Sequence, residues 1–361
     1  MSPARAILLR LRLGTTECQN DDTTKFQNGA QGSQFTLPFP FFIDHSFPGG
    51  RLEDRNTVAT KVKTAVKERK KASRTTGKAL PRPFLKWAGG KGQLVDELLA
   101  LAPKRFKAYH EPFMGGGALF FALQRAERLD GKEIHLSDIN GELVTTYGAI
   151  REDVQSVVHH LVKHRYDSDH YYKVRAWDPR KLKPAKLAAR MIFLNKTGFN
   201  GLYRVNSKGQ FNVPLGRYKN PMICDKDNLK AVSKALRQVE LHQESFEKVL
   251  DRAKRGDFVY FDPPYVPLSE TANFVGYAQN GFGVSDQERL AEVFAILAHR
   301  GVNVMLSNSD TTWVQEHYKA FRQVTNALAV AASTPTTCAT AIPTAPGSAE
   351  KAPAATRNTA V

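Results

Sequence analysis

The sequence predicts an α/β domain built on an open, mainly parallel sheet that is interrupted by a long insertion. Three observations predict it. From about Phe84 to Val324, short apolar runs alternate with amphipathic stretches, the rhythm of strand followed by helix. Four runs, KAYHEPF, EIHLSDIN, GDFVYFDPPY and VNVMLSNSD, end in polar residues, and open α/β sheets bind ligands beyond the C-terminal ends of their strands. The second and third runs are separated by about a hundred residues, too many for a simple crossover connection.

Taken in chain order, residues 1–80 mix Gly, Gln, Asn, Thr and Pro without periodicity and then crowd basic residues from Lys61 to Lys78, which reads as a disordered basic extension. Residues 81–150 and 246–326 carry the strand and helix rhythm and form the expected catalytic domain. A helix is expected from Ala118 to Leu129 behind the glycine run of the first strand. Residues 151–245 form the expected inserted domain, helical at first and loop-rich through TGFNGLYRVNSKGQFNVPLGRYKNP, where a hairpin is expected. Residues 327–361 are dominated by Ala, Thr and Pro and read as an atypical tail.

Composition narrows the function. The chain has 361 residues, 42% of them hydrophobic, enough to bury a full core. Its net charge of +17 favours a polyanionic partner, because each cation that neutralises a phosphate releases a condensed counterion. Cys18, Cys224 and Cys338 are too scattered for a zinc knuckle, a redox pair or a disulfide framework, so a reducing cytoplasm and no metal are expected. No run of about 18 apolar residues is present, so no membrane span is expected.

Asp262-Pro263-Pro264-Tyr265 follows the strand FVYF directly. An exocyclic adenine amine is a poor nucleophile because its lone pair is delocalised into the ring. Acceptors on both N–H groups favour a pyramidal nitrogen, and the Asp262 carboxylate and Pro263 carbonyl can supply them from a turn that the prolines hold rigid. Tyr265 offers a stacking face, and a base that reaches such a pocket must leave its duplex. The same four residues also fit a plain strand-terminating turn.

Glu111-Pro112-Phe113-Met114-Gly115-Gly116-Gly117 follows a second strand and precedes a helix, so that Gly115 and Gly117 let backbone approach a ligand. Asp138 comes 21 residues after Gly117 at the end of the next strand, where a carboxylate can hold ribose hydroxyls. This pairing suits an adenosine cofactor and equally a dinucleotide. Phe84-Leu85-Lys86-Trp87-Ala88-Gly89-Gly90-Lys91 lacks the GxxxxGK[ST] pattern of a phosphate loop. Trp87 offers a face to an adenine or a sulfonium, or is a core aromatic, and Lys91 offers a charge to a carboxylate.

FLKWAGGK, EPFMGGG, SDIN, NGLYRVNSKGQFNVPLGRYK, FDPPYVPLSETANF and LSNSD stand in one order over roughly Phe84 to Phe321, and in this the chain resembles the Dam-type (D12 class) site-specific DNA adenine N6-methyltransferases. The resemblance implies a Rossmann-like S-adenosylmethionine-dependent methyltransferase sheet with an inserted, mainly helical target recognition domain carrying a β-hairpin. It implies that Trp87, Lys91, Asp138 and Asp262 bind S-adenosylmethionine and that Asp262 to Tyr265 form the adenine pocket. Within the insertion, NGLYR and NVPLGRYK look like the subgroup that reads GATC. Lys86, Leu202, Arg204 and Pro214 match positions near bases. Arg204 has the fork for a guanine edge, Tyr218 can fill a gap in the stack, and Arg217 and Lys219 can grip phosphates.

The expected partner is double-stranded DNA and the expected acting form a monomer in the cytoplasm, associated with the nucleoid. The alternatives are a DNA-binding protein that keeps the fold without turnover, or an RNA adenine methyltransferase. No Pro-Cys dipeptide is present, which argues against cytosine C5 methylation. The chain departs from the resemblance soon after Phe321. The expected closing strands give way to ALAVAASTPTTCATAIPTAPGSAE, as after a change of reading frame, and an exposed apolar sheet edge is expected.

Overall fold

Five parallel strands form the centre of the sheet: β2 (Tyr109–Glu111), β3 (Ile134–Asp138), β4 (Val239–Gln243), β5 (Phe258–Phe261) and β6 (Asn303–Ser309). Their spatial order is β4-β3-β2-β5-β6, so the direction of winding reverses between β2 and β5. Such a switch point opens a crevice at the strands' C-terminal ends. The computed structural model describes residues 6–10, 79–87, 94–266, 282–321 and 323–326.

Helices cover both faces of the sheet, as its parallel part requires. Alternation along β5 shows the division: Phe258 and Tyr260 join one buried cluster, while Val259 and Phe261 join the other. The first cluster takes up α1 (Val95–Leu101), α2 (Ala118–Arg125), α3 (Gly141–Leu161), α4 (Ser168–Arg175), α5 (Pro184–Thr197) and α6 (Lys226–Leu236). The second takes up α7 (Val249–Arg252), α8 (Val284–His299) and α9 (Thr312–His317).

The long segment between β3 and β4 starts with α3. Asn140 caps that helix, its side chain accepting from Leu143 N–H at 3.2 Å. The helix breaks at Asp153, whose φ of −147° and ψ of 74° are not helical and whose carboxylate re-caps the next turn at Ser156 N–H. The far boundary differs from expectation: β4 returns the chain to the sheet at Val239, ahead of residue 246. Its sequence, VELHQ, is half polar because β4 is an edge strand, and a period-2 search for a buried strand passes over it.

The insertion does not carry a separate core. Tyr171, Met191 and Phe193 belong to the same buried cluster as Tyr109, Ile134 and Phe258 of the sheet. Arg190 in α5 is 2% exposed, its guanidinium donating to the carbonyls of Val174 and Arg175 and to Glu142 Oε2 at 3.2 Å. After α5 the chain forms a hairpin in which Val205 bridges Phe211 and Asn206 Oδ1 accepts from Gln210 N–H across the turn.

Two expectations about the ends are corrected. Residues 1–80 are not wholly without structure: β1 (Ala6–Arg10) pairs antiparallel with β6 through Ala6 opposite Ser309 and Arg10 opposite Met305. Beyond it, β7 (Gln323–Asn326) pairs antiparallel with β1. The outer edge of β6 is therefore covered rather than bare. A five-residue segment with four apolar residues, far in sequence from the rest of the sheet, has no periodicity long enough to announce such a partner. The tail from residue 327 lies outside the described residues.

Candidate functional site

At the C-terminal end of β2, the glycine run turns sharply before α2. Gly115 has φ +42° and Gly117 φ +64°, the left-handed region that side chains avoid. A Cβ on Gly115 would lie 2.6 Å from Trp87 Cδ1, so the indole rests directly on the bare backbone. Gly117 is the N-cap of α2 and offers no capping side chain. The carboxyl of Glu111 substitutes for one, accepting from Phe120 N–H in the first turn.

Glu111 is 2% exposed, and the Tyr109 hydroxyl donates to its Oε2 at 2.8 Å. Burial, reinforced by the nearby charge of Asp262, pushes its pKa up to about 8. It supports the glycine turn from within the fold. Asp138, at the end of the adjacent β3, accepts from Gly115 N–H at 3.2 Å and from Asn140 N–H at 2.9 Å. Burial raises its pKa against these hydrogen bonds. The Tyr147 hydroxyl fixes the same turn by donating to Gly115 O at 3.1 Å.

Across the switch point, Asp262 follows β5. Ser307 Oγ donates to Asp262 Oδ1 at 2.7 Å, and the Tyr260 hydroxyl lies 3.0 Å from the same Ser307 oxygen. The turn that contains Pro263, Pro264 and Tyr265 is clamped from β6 and α8. Asn308 accepts from Val266 N–H at 3.1 Å and donates to Gln287, which donates to Pro264 O at 2.7 Å. Ser309 Oγ donates to Val266 O at 2.6 Å. Gln287, Ser307 and Asn308 are each no more than 1% exposed, so this network is shielded from competing water. The LSNSD run reads in the sequence as a strand with a polar end. That its side chains hold the Asp-Pro-Pro-Tyr turn emerges only from the pairing of β5 with β6.

The insertion meets this site through Lys86 and Trp87. Asn195, 3% exposed in α5, accepts from Lys86 N–H at 2.7 Å and donates to the carbonyls of Lys86 and Gly201. Trp87 stacks on Tyr203 with ring centroids 5.5 Å apart. The Tyr203 hydroxyl hydrogen-bonds Asn140 and Glu142 beside Asp138, and burial raises its pKa to about 12. Asn195 carries no motif and sequence reasoning misses it, and Tyr203, although inside NGLYR, is given no role by that motif.

Lys86 Nζ lies 4.5 Å from the centre of the Tyr218 ring, bringing together two residues that the sequence assigns to one surface. Tyr218 is itself fixed by donating to Gly198 O at 2.9 Å. Arg204 and Arg217 are exposed, and Arg204 Nε donates to Asn212 Oδ1 across the hairpin at 2.8 Å. Pro214 is exposed and Leu202 half-buried against the core. Lys91 lies outside the described residues.

The chain matches the family described as D12 class N6 adenine-specific DNA methyltransferase over residues 87–332. It is 42% identical over 248 residues to the Type II methyltransferase M1.LlaDCHI of Lactococcus lactis subsp. cremoris, covering 66% of this chain and 85% of the relative. It is 45% identical over 247 residues to the Type II methyltransferase M.MjaIII of Methanocaldococcus jannaschii, covering 63% and 84%. It is 36% identical over 242 residues to the DNA adenine methylase of Escherichia coli, covering 66% and 84%. The chain belongs to the D12 class of N6 adenine-specific DNA methyltransferases.

Proposed function

We propose that the chain transfers a methyl group from S-adenosylmethionine to N6 of an adenine in duplex DNA, within GATC, by direct transfer to a flipped base. The observation that carries the reading is the rigid Asp262 to Tyr265 turn beside the glycine cradle. Its buried clamp engages the carbonyls of Pro264 and Val266 and the N–H of Val266. The Pro263 carbonyl and the second oxygen of Asp262 are the groups assigned to the adenine amine, and preorganised acceptors need no rearrangement as charge develops on that nitrogen. Tyr265 would stack on the base.

The cradle fits the methyl donor. Gly115 and Gly117 leave the backbone bare, and Asp138 keeps lone-pair capacity for ribose hydroxyls beside the backbone hydrogen bonds it accepts from Gly115, Ile139 and Asn140. Trp87, Asp138 and Asp262 are assigned to hold it, with Lys91 for its carboxylate and Glu111 beneath. When bound, the donor supplies an electrophilic methyl on a sulfonium, and the chain's part is to orient the amine in line with it and exclude water.

For recognition, Arg204 is assigned to a guanine edge, Lys86 to a base acceptor or phosphate, Tyr218 to the gap left by the flipped base, and Arg217 to a phosphate. Leu202 and Pro214 form the apolar contact beside them. Incubation with labelled S-adenosylmethionine and duplexes that contain or lack GATC tests the reading, with Asp262→Ala alongside. Label is expected on the GATC duplex alone and is lost in the variant. Label on neither duplex refutes methyl transfer, and equal label on both refutes the site.

A further inference from the structure

The far end of β3 from Asp138 carries a cluster that methyl transfer does not use. His135 and Glu240 are register partners on β3 and β4, and His242 stands two residues beyond Glu240, so all three side chains share one face of the sheet edge. Three of their atoms form a nearly equilateral triangle. His135 Nδ1 lies 3.3 Å from Glu240 Oε2 and 3.4 Å from His242 Nε2, which lies 3.6 Å from the same Glu240 oxygen.

That triangle has the size of a metal site. Dividing its mean side by √3 puts its centre about 2.0 Å from each donor, and a tetrahedral ion with bonds of about 2.0–2.1 Å has ligand edges of about 3.3–3.4 Å. We propose that His135 Nδ1, His242 Nε2 and Glu240 Oε2 bind one divalent transition-metal ion of the zinc class, with water in the fourth position. Two imidazoles and one carboxylate favour Zn2+ or Co2+ over Mg2+ or Ca2+, which take oxygen ligands.

The surroundings suit the ligand set. The His110 ring, 2% exposed, stacks on His135 with centroids 4.7 Å apart and planes 8° from parallel, fixing its orientation. His110 Nε2 in turn lies 3.3 Å from Asp257 Oδ2. Glu240 is 64% exposed at the sheet edge yet turns inward toward both imidazoles, and it leaves an entry path from solvent. The one cation facing the cluster among the described residues, Arg252, is paired with Glu244, which lowers its opposition to a bound dication. The ion would tie the edge strand β4 to β3.

The expectation of no metal rested on cysteine spacing and on local motifs. Here His135 and Glu240 are over a hundred residues apart in the chain and meet only through strand pairing.

The test uses the untagged full chain, stripped with EDTA and titrated with Co2+ and then Zn2+. One equivalent of Co2+ with the intense visible absorption of tetrahedral coordination, displaced by Zn2+, is expected. His242→Ala and Glu240→Gln should each weaken binding about tenfold or more. Glu240→Gln changes an exposed side chain, and far-ultraviolet circular dichroism checks that both variants fold. A folded wild-type chain that takes up no stoichiometric Co2+ overturns the proposal. So does binding that survives both substitutions, or that is lost equally in His159→Ala/His160→Ala. The readout is independent of methyl transfer, so either proposal can fail alone.

Discussion

Ser307 Oγ donates to Asp262 Oδ1 at 2.7 Å from the neighbouring strand, and this hydrogen bond orients the carboxylate at the mouth of the crevice. Because it acts on orientation, Ser307→Ala should lower the turnover number for methyl transfer about tenfold, equivalent to about 1.4 kcal/mol, with small changes in KM for DNA and methyl donor. Asp262→Ala removes the acceptor itself and should cost on the order of a thousandfold or more. Steady-state kinetics decides: an unchanged turnover number in Ser307→Ala would remove the positioning role.

Glu111 gives the fold a pH dependence opposite to that of an ordinary carboxylate. Its pKa rises on folding from 4.5 to about 8 through burial and the nearby charge of Asp262, so the fold favours the protonated acid. The stability this contributes is fully present below about pH 4.5 and is lost as pH rises through about 8. Glu111→Gln retains a neutral acceptor for Tyr109 and Phe120. Relative to wild type it should gain on the order of a few kcal/mol between pH 5 and pH 8.5. Urea unfolding of both proteins at the two pH values measures it, and parallel behaviour would contradict the buried acid.

The cradle makes a prediction about size. At Gly115 a methyl group meets Trp87 Cδ1 at 2.6 Å on a backbone with φ +42°. Gly115→Ala should therefore destabilise the protein by about 1–3 kcal/mol and displace the indole. Methyl-donor affinity, read by calorimetry, should fall about tenfold or more, with the Trp87 fluorescence change on binding reduced. A variant that binds the donor normally would show that the indole and the glycine turn do not form its pocket.

Sequence was most informative where a short segment carries both its fold and its chemistry. The strands ending in Glu111, Asp138, Phe261 and Ser309 stand where the polar residues at or just beyond their ends predict, because alternation and a terminal motif mark them together. β4 and β1 were hidden for contrary reasons, the first half polar at an edge and the second a brief apolar run remote in sequence. The supporting residues were less legible than the motifs. Asn195 and Gln287 are single polar residues inside helices, which have no local signature, while Tyr203 and Ser307 lie inside motifs whose spacing does not reveal the partners that the fold brings to them. The buried acid at Glu111 likewise depends on enclosure by Tyr109 and α2, which no spacing encodes.

On the proposed recognition surface, Arg204 and Arg217 should separate into two kinds of effect. Arg204 projects from the hairpin with its fork braced by Asn212 Oδ1 at 2.8 Å, a rigid mount suited to a base edge. Arg204→Ala should cost about 1–3 kcal/mol on GATC duplexes and much less on duplexes altered at the contacted base pair, narrowing the discrimination between them. Arg217 is exposed beside Tyr218 and is assigned to the backbone. Arg217→Ala should weaken binding by a similar factor on every sequence and reduce the slope of log K against log salt by about 1. Fluorescence anisotropy over a salt series with matched and mismatched duplexes reads both quantities. If Arg204→Ala lowers affinity uniformly and changes the salt slope instead, it is a phosphate contact, and the reading of the hairpin as the sequence-reading element loses its principal residue.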